Sequence, residues 1–356
     1  MYSQLEEYVI WLDSFLELDY KVKEQLLSQA SPSDIFENLN KYKDFLVKEI
    51  GEEGYSIMER HNTMRYLEYI LSALEKRDIK VITMYSDNYP ESLLNTPNPP
   101  IILYCMGNAD LLYNENLLTI VGSRQTLPQM LGKSKEFATA LSQNGFTIVT
   151  GMAHGADTAV LEGALESGNV ICVLASGIDD IYPEQSRPLV NKVAQKGLVI
   201  TEHNPGVKSK PYLFPIRNRI MAGLSKGVLV TSGGLRSGTN YTASFAVDYG
   251  KDVFAFPYNI GVESGEVCNM LIRNGAILVT KPEDIAECYN VQLETKQENL
   301  TPEEEYLYNI IRQGDIHIEQ LSIKTNQSVV AMMPTLLLLE MKGKIVKDAG
   351  NVYTAL

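Results

Sequence analysis

Apolar residues recur at three- and four-residue spacing near the start of the chain. Tyr8, Val9, Leu12, Phe15 and Leu16 form one such series, and Met64, Tyr66, Leu67, Ile70 and Leu71 another. That period predicts amphipathic helices, and the run Ser31-Pro32-Ser33-Asp34 reads as a helix start with a cap followed by proline. Residues 1–78 are therefore expected to form an N-terminal helical domain. A β-rich, proline-punctuated passage follows from about residue 81. From residue 116 short, fully apolar runs alternate with helical patterns of about ten to fifteen residues. Strands are predicted at 117–121, 146–150, 170–175, 198–201, 227–231 and 252–256, with helices between them. Uninterrupted apolar strands imply burial on both faces, hence an α/β, doubly wound, mostly parallel sheet. The polar stretch 291–300 reads as a linker. Beyond it, residues 301–356 show three short helical patterns and a hairpin, the order of a C-terminal winged-helix domain.

A length of 356 residues fits two or three domains, and 45% apolar with 21% charged residues is ordinary for a globular protein. Cys105, Cys172, Cys268 and Cys288 form no CxxC pair and are expected as reduced thiols in a cytoplasmic protein. The N-terminus lacks a basic start followed by an apolar core, so no signal peptide is expected. No apolar run approaches the roughly 20 residues of a membrane helix. His61, His154, His203 and His317 are dispersed, with no companion cysteines, and no metal site is expected.

The net charge of −13 argues at first against a polyanionic partner. The distribution changes that picture: residues 184–251 hold ten Lys/Arg and three Asp/Glu, a local +7. Screening over about 10 Å makes such an island matter more than the total.

Three turns carry candidate chemistry. Gly122-Ser123-Arg124 follows a predicted strand and precedes a helix, where doubly wound sheets bind ligands. Its glycine admits close backbone approach, and its arginine can grip two phosphate oxygens. Thr150-Gly151-Met152-Ala153-His154-Gly155-Ala156-Asp157 is a second glycine turn, in which Asp157 orders the loop. Ser237-Gly238-Thr239 opens a third helix beside Arg236. In FPIRNRIMAGLS at 214–225, Arg217, Asn218 and Arg219 stand just before an apolar helical run and are expected at a phosphate-binding rim. Phe214 reads equally as a stacking face or as core.

GSR, TGMAHGAD, ASGIDDIYP, FPIRNRIMAGLS and RSGTNYTASFAVDYGKDVFAFP, in this order, resemble the DNA-processing protein A (DprA/Smf) family. The resemblance spans roughly residues 80–280. It implies a SAM-like N-terminal domain (1–78), an extended Rossmann-like domain (79–290), the linker (291–300) and a winged helix (301–356). It also implies a homodimeric, non-enzymatic, cytoplasmic binder of single-stranded DNA that loads the RecA recombinase during natural transformation. No cofactor and no membrane association are implied. By matching position the DNA pocket includes Gly122, Ser123, Arg124, Gly151, Gly155, Phe214, Arg217, Asn218 and Arg219, and the glycine turns themselves add His154, Ser237, Gly238 and Thr239 as candidates. Lys192 is a further phosphate candidate. The chain departs from the family pattern at Glu184, where a lysine more often follows Tyr-Pro, at His154, and at Pro257-Tyr258.

Two other classes fit part of the pattern. A nucleotide N-glycosidase-like enzyme needs a carboxylate just after Gly238-Thr239, and Asn240, Tyr241 and Thr242 supply none. A nucleotide sensor would share the same pocket. A duplex-reading role for the winged helix is disfavoured by five basic and seven acidic residues over 301–356.

Overall fold

The computed structural model describes residues 2–294, 300–348 and 350–355, so residues 295–299 of the expected linker lie outside the described residues. Two compact units are present, Met1–Leu293 and Glu294–Leu356.

The first unit opens with α1 (Gln4–Asp13), α2 (Tyr20–Gln29), α3 (Pro32–Glu37), α4 (Lys43–His61) and α5 (Met64–Glu75). Their starts follow side-chain chemistry. Ser3, Asp19, Ser31 and Thr63 each accept an amide of the first turn. Gly51, at φ +77°, interrupts α4 with a conformation that side chains disfavour. Trp11, Leu26, Ile35, Leu46, Met58 and Leu67 close the core. Tyr8, Val9, Leu12 and Phe15 are buried as expected, but Leu16 is exposed. α1 ends at Asp13, so helical spacing no longer sets the direction of that side chain.

The α/β body follows in chain order: β1 (Lys80–Thr83), α6 (Glu91–Leu94), β2 (Ile102–Gly107), β3 (Leu117–Val121), α7 (Pro128–Gln143), β4 (Thr147–Thr150) and α8 (Ala156–Ala164). Then come β5 (Val170–Val173), α9 (Arg187–Lys196), β6 (Leu198–Thr201), α10 (Leu213–Leu224), β7 (Gly227–Val230), α11 (Thr239–Asp248), β8 (Asp252–Ala255), α12 (Glu266–Arg273), β9 (Ile277–Leu278) and α13 (Pro282–Cys288). The sheet order is β1-β2-β6-β5-β4-β3-β7-β8-β9. β1 pairs antiparallel with β2, and β2 with β6; the other neighbours are parallel.

Alternation along each strand feeds two cores. Leu118, Ile120, Ile148 and Cys172 meet α7, α8 and α9 through Phe137, Val160 and Val193. Leu117, Val121, Val149 and Ile171 meet α10, α11 and α12 through Ile220, Ala243 and Val267. Thr119 is the polar exception, and its hydroxyl is satisfied by the Met221 carbonyl and Ser225 Oγ, both 2.8 Å away.

The helical start is fastened to the sheet by buried polar contacts. The Tyr104 hydroxyl on β2 donates to Asp13 Oδ2 at 2.6 Å, and Lys23 pairs with the same carboxylate. Arg219 forms an ion pair with Glu202 just past β6, and its guanidinium lies 5.4 Å from the Tyr20 ring centre.

The second unit contains α14 (Pro302–Ile311), α15 (Ile318–Thr325) and α16 (Val329–Met341), with β10 (Ile316–His317), β11 (Ile345–Lys347) and β12 (Val352–Ala355). These strands form a sheet in the order β10-β12-β11, one strand more than the expected hairpin. α16 runs on through Pro334, capped by Ser328.

Because both partners are almost wholly buried, Arg219→Ala leaves an uncompensated carboxylate at Glu202. The expected loss is about 3–5 kcal/mol of unfolding free energy, read from the urea midpoint. A midpoint equal to the parent's would contradict the pairing.

Candidate nucleic-acid interface

The chain leaves β3 toward β4, β5 and β6 on one side, then returns to place β7 against the other side of β3. Loops leaving the carboxyl ends of β3 and β7 must therefore part, and the crevice between them is where doubly wound sheets take ligands. A cavity of about 970 Å³ lies there. Gly122, Ser123 and Arg124 line it after β3, and residues 234–239 line it after β7.

The loop after β3 is shaped by close backbone approach. A Cβ on Gly122 would stand 2.4 Å from both Ala156 Cβ and Thr231 Oγ1. The Ser123 amide donates to Ser232 Oγ at 2.9 Å, and the Ser123 hydroxyl accepts the Gln125 amide at 3.2 Å. Gly155 has φ +89°, and a Cβ there would come within 2.6 Å of the Arg124 carbonyl oxygen. Behind this loop Asp157 accepts the Ala153 amide at 3.2 Å and a bond from the Gly122 backbone. Burial pushes the Asp157 carboxyl up, against the pull of Arg217 and those backbone amides.

Arg217 forms the floor. Its guanidinium donates to the Val173 carbonyl, and its Nε donates to Asn218 Oδ1 at 3.1 Å. Burial lowers its pKa, with the Asp157 charge opposing. Asn218 in turn donates to the Gly238 carbonyl at 3.2 Å, tying α10 to the start of α11. A Cβ on Gly151 would lie 2.5 Å from Arg217 Nη2 and 2.6 Å from Asp157 Oδ2, so only glycine leaves room for this arrangement.

Arg124 stands over the Phe214 ring, 5.6 Å from its centre. Tyr182, 51% exposed, meets Phe214 edge-on at 5.8 Å. Lys210 and Arg236 also line the cavity and are exposed. Among the described residues Arg124, Lys210 and Arg236 form no ion pair. Unpaired cations beside aromatic faces suit phosphate and base together. The segment carrying Lys210 is latched by the ASGIDD turn: Asp180 accepts the Ser209 amide at 2.8 Å and Lys208 Nζ at 3.0 Å, while Asp179 accepts the Gly206 amide. Burial alone would raise the Asp180 carboxyl, but the Ser209 amide and Lys208 overcome it and hold the group below its ordinary value.

Of the residues expected from the sequence, Gly122, Ser123, Arg124, Phe214, Arg217, Asn218, Ser237, Gly238 and Thr239 come together on the cavity wall. Gly151 and Gly155 shape it from behind. His154 and Lys192 are exposed but lie off the wall, Lys192 on α9.

Two expectations need correction. First, Arg217, Asn218 and Arg219 do not precede a helix: α10 begins at Leu213, so all three are in its interior. Residues two apart on a helix point about 200° away from each other. Arg217 therefore faces the cavity, at 5% exposure, and Arg219 faces Glu202 on the far side. Arg219 cannot grip a phosphate at the rim, and Arg217 is a buried floor rather than a free fork. Second, the basic island does not converge. Arg187 pairs with Glu184, Lys208 with Asp180 and Arg219 with Glu202, leaving Lys210, Arg217 and Arg236 at the cavity. Glu184 is neutralised by Arg187 and lies off the wall.

The sequence reading missed Tyr182, Lys210, Glu263 and Glu266, and noticed Arg236 only as a neighbour. The KSK triplet at 208–210, just before the FPIRNR helix, was the available signal for Lys210. Glu263 and Glu266 reach the cavity because the Gly233 amide donates to the Ser264 carbonyl (2.6 Å) and the Val267 amide to the Gly233 carbonyl (2.9 Å).

A doubly wound domain with glycine turns and cations at its switch point defines a class of phosphate-binding proteins. The sequence profile of the DNA recombination-mediator protein A family matches residues 80–290, and the chain belongs to that family. It is 32% identical over 258 residues to protein Smf of Synechocystis, covering 70% of this chain and 65% of that protein, under two thirds of its length. It is 37% identical over 204 residues to DNA processing protein DprA of Streptococcus pneumoniae, covering 57% of this chain and 72% of that protein. The structure of that pneumococcal protein superposes with a TM-score of 0.59, at 30% identity, over 72% of this chain and 91% of its own. DNA processing protein A of Helicobacter pylori, solved for its single-stranded DNA binding mode, superposes with a TM-score of 0.55 at 26% identity, over 60% and 95%.

The Asp180 latch has a defined pH window. A carboxyl held below its unfolded value contributes above that value, near 3.9, and is lost as pH falls through the folded one. Hydrogen exchange at the Ser209 amide, corrected for intrinsic rate, is expected to stay slow from about pH 7 to 5 and to quicken only below about 4. Release of protection above pH 5 would contradict the latch.

Proposed function

We propose that the crevice at the β3–β7 switch point binds single-stranded DNA. The observation that carries the reading is Arg124 over Phe214, with Lys210 and Arg236 beside them unpaired on the same cavity. Guanidinium and ammonium groups meet successive phosphates, and the Phe214 and Tyr182 rings offer faces to bases. Glycine turns let the strand approach the backbone. The single-stranded DNA binding mode named for the Helicobacter pylori relative supports the same ligand. Membership in a recombination-mediator family supports a cytoplasmic role in natural transformation and recombination, delivering the strand to the RecA recombinase. No turnover belongs to this reading: Asn240, Tyr241 and Thr242, which directly follow Gly238-Thr239, carry no carboxylate. No helix among the described residues is long and apolar enough to cross a membrane.

The protein acts as a homodimer in this proposal. β9 ends the nine-stranded sheet with Ile277 and Leu278 exposed, beside exposed Val247, an edge suited to a second copy. The C-terminal unit serves as a winged helix that faces protein rather than duplex. α16 carries one charged residue, Glu340, where a duplex reader needs basic anchors.

Fluorescence anisotropy with labelled strands of graded length tests the main reading. Affinity is expected to rise with length and to fall with salt at a slope near −2 for three phosphate contacts. Arg124→Ala should flatten that slope by about 0.7. Phe214→Ala should weaken binding by about 1–3 kcal/mol. Indifference to length and salt, as a small-nucleotide sensor would show, would sink the proposal. For the dimer, Leu278→Arg should halve the mass seen by light scattering, and an unchanged mass would remove β9 from the interface.

A further inference from the structure

The outer side of α16 is as apolar as its core side. Met332, Leu336 and Leu339 enter the core of the C-terminal unit with Leu307 and Leu321. On the exposed side Val330, Met333, Pro334, Leu337, Leu338 and Met341 recur at three- and four-residue steps, one stripe about three turns long. Val330 is 81% and Met341 75% exposed, so the stripe is open at both ends. A helix apolar on every side belongs in a buried setting. The exposed part of the stripe is on the order of 600 Å², as much as the largest patch a lone domain leaves open. Two copies laid face to face bury about 1,200 Å², where specific interfaces begin.

The chemistry of the stripe argues for a second copy of this chain as its occupant. A nucleic-acid strand needs cations or aromatic rings, and the stripe holds neither. A different protein is selected by charged and polar groups that fix register, and the stripe offers none. A two-fold pair needs only a surface that matches itself. The charges at its ends supply that match. Glu340 lies at the C-terminal end of the stripe, and Lys324, in the last turn of α15, precedes its N-terminal end. Both are exposed, and among the described residues neither forms an ion pair. Antiparallel pairing sets the Glu340 end of each copy against the Lys324 end of the other, whereas parallel pairing would set Glu340 against Glu340. We propose that the outer face of α16 is a self-association surface that pairs antiparallel with the same face of a second copy. It belongs to the C-terminal unit, so it and the β9 edge join different pairs of chains.

Sedimentation equilibrium of the full chain carrying Leu278→Arg tests this, because that substitution opens the β9 contact of the proposed homodimer. The expected mass is that of two copies. Adding Met333→Glu with Leu337→Glu should halve it to one copy. Val330→Lys with Met341→Lys, at the two ends of the stripe, should do the same. All four positions are exposed, and circular dichroism checks that each variant folds. Equal masses with and without the α16 substitutions overturn the inference and leave the stripe to a different protein. A mass that grows without limit as concentration rises also overturns it, because the stripe then meets another surface of the next copy head to tail. If Leu278→Arg leaves the mass of the parent unchanged, the β9 reading alone fails, and the α16 comparison still decides this inference.

Discussion

Everything at the site depends on how Asp157 is buried. Its carboxylate gathers backbone amides from both the Gly122 turn and the Ala153 turn, opposite a guanidinium that is buried as well. A buried charge is tolerated only when donors and an opposing charge surround it. Meeting that demand draws the ends of β3 and β4, the first turn of α8 and the interior of α10 onto one point. The open side of that point is the cavity. Gly151 is there because a Cβ would collide with the Arg217 guanidinium and the Asp157 carboxylate, and Gly122 because one would collide with Ala156, Thr231 and Ser232.

This arrangement divides the cations into two kinds. Arg217 and Arg219 lie inside the fold and hold elements together, one beneath the cavity and one between α10, Glu202 and Tyr20. Arg124, Lys210 and Arg236 are carried on loops, and among the described residues they form no ion pair. Buried parts supply shape and exposed loops supply charge, a division that suits a ligand recognised by its backbone. The Asp179–Asp180 turn belongs to the same scheme, because it holds the segment leading to Lys210 from off the cavity wall.

The strands were legible because a parallel strand covered on both faces must be an apolar run, and glycine turns marked where each one stopped. The boundaries at 117–121 and 198–201 needed nothing beyond that rule. Arg217 and Arg219 were misread because they are neighbours in sequence but oppose each other once the helix start is moved to Leu213. Charge counted along the chain overestimated the site, since Glu184, Asp180 and Glu202 each consumed one of the cations in the basic stretch. Glu263 and Glu266 were invisible for a different reason. They reach the cavity through the pairing of two distant loops, and no local pattern encodes that meeting.

A crystal structure of the full chain with a short single strand would test the central claim most directly. The account requires the strand to run along the carboxyl ends of the parallel strands. Its phosphates should lie within hydrogen-bond reach of Arg124, Lys210 and Arg236, with a base against Phe214. A strand seated on another face, or phosphates held by Arg219 with the switch-point crevice empty, would contradict it.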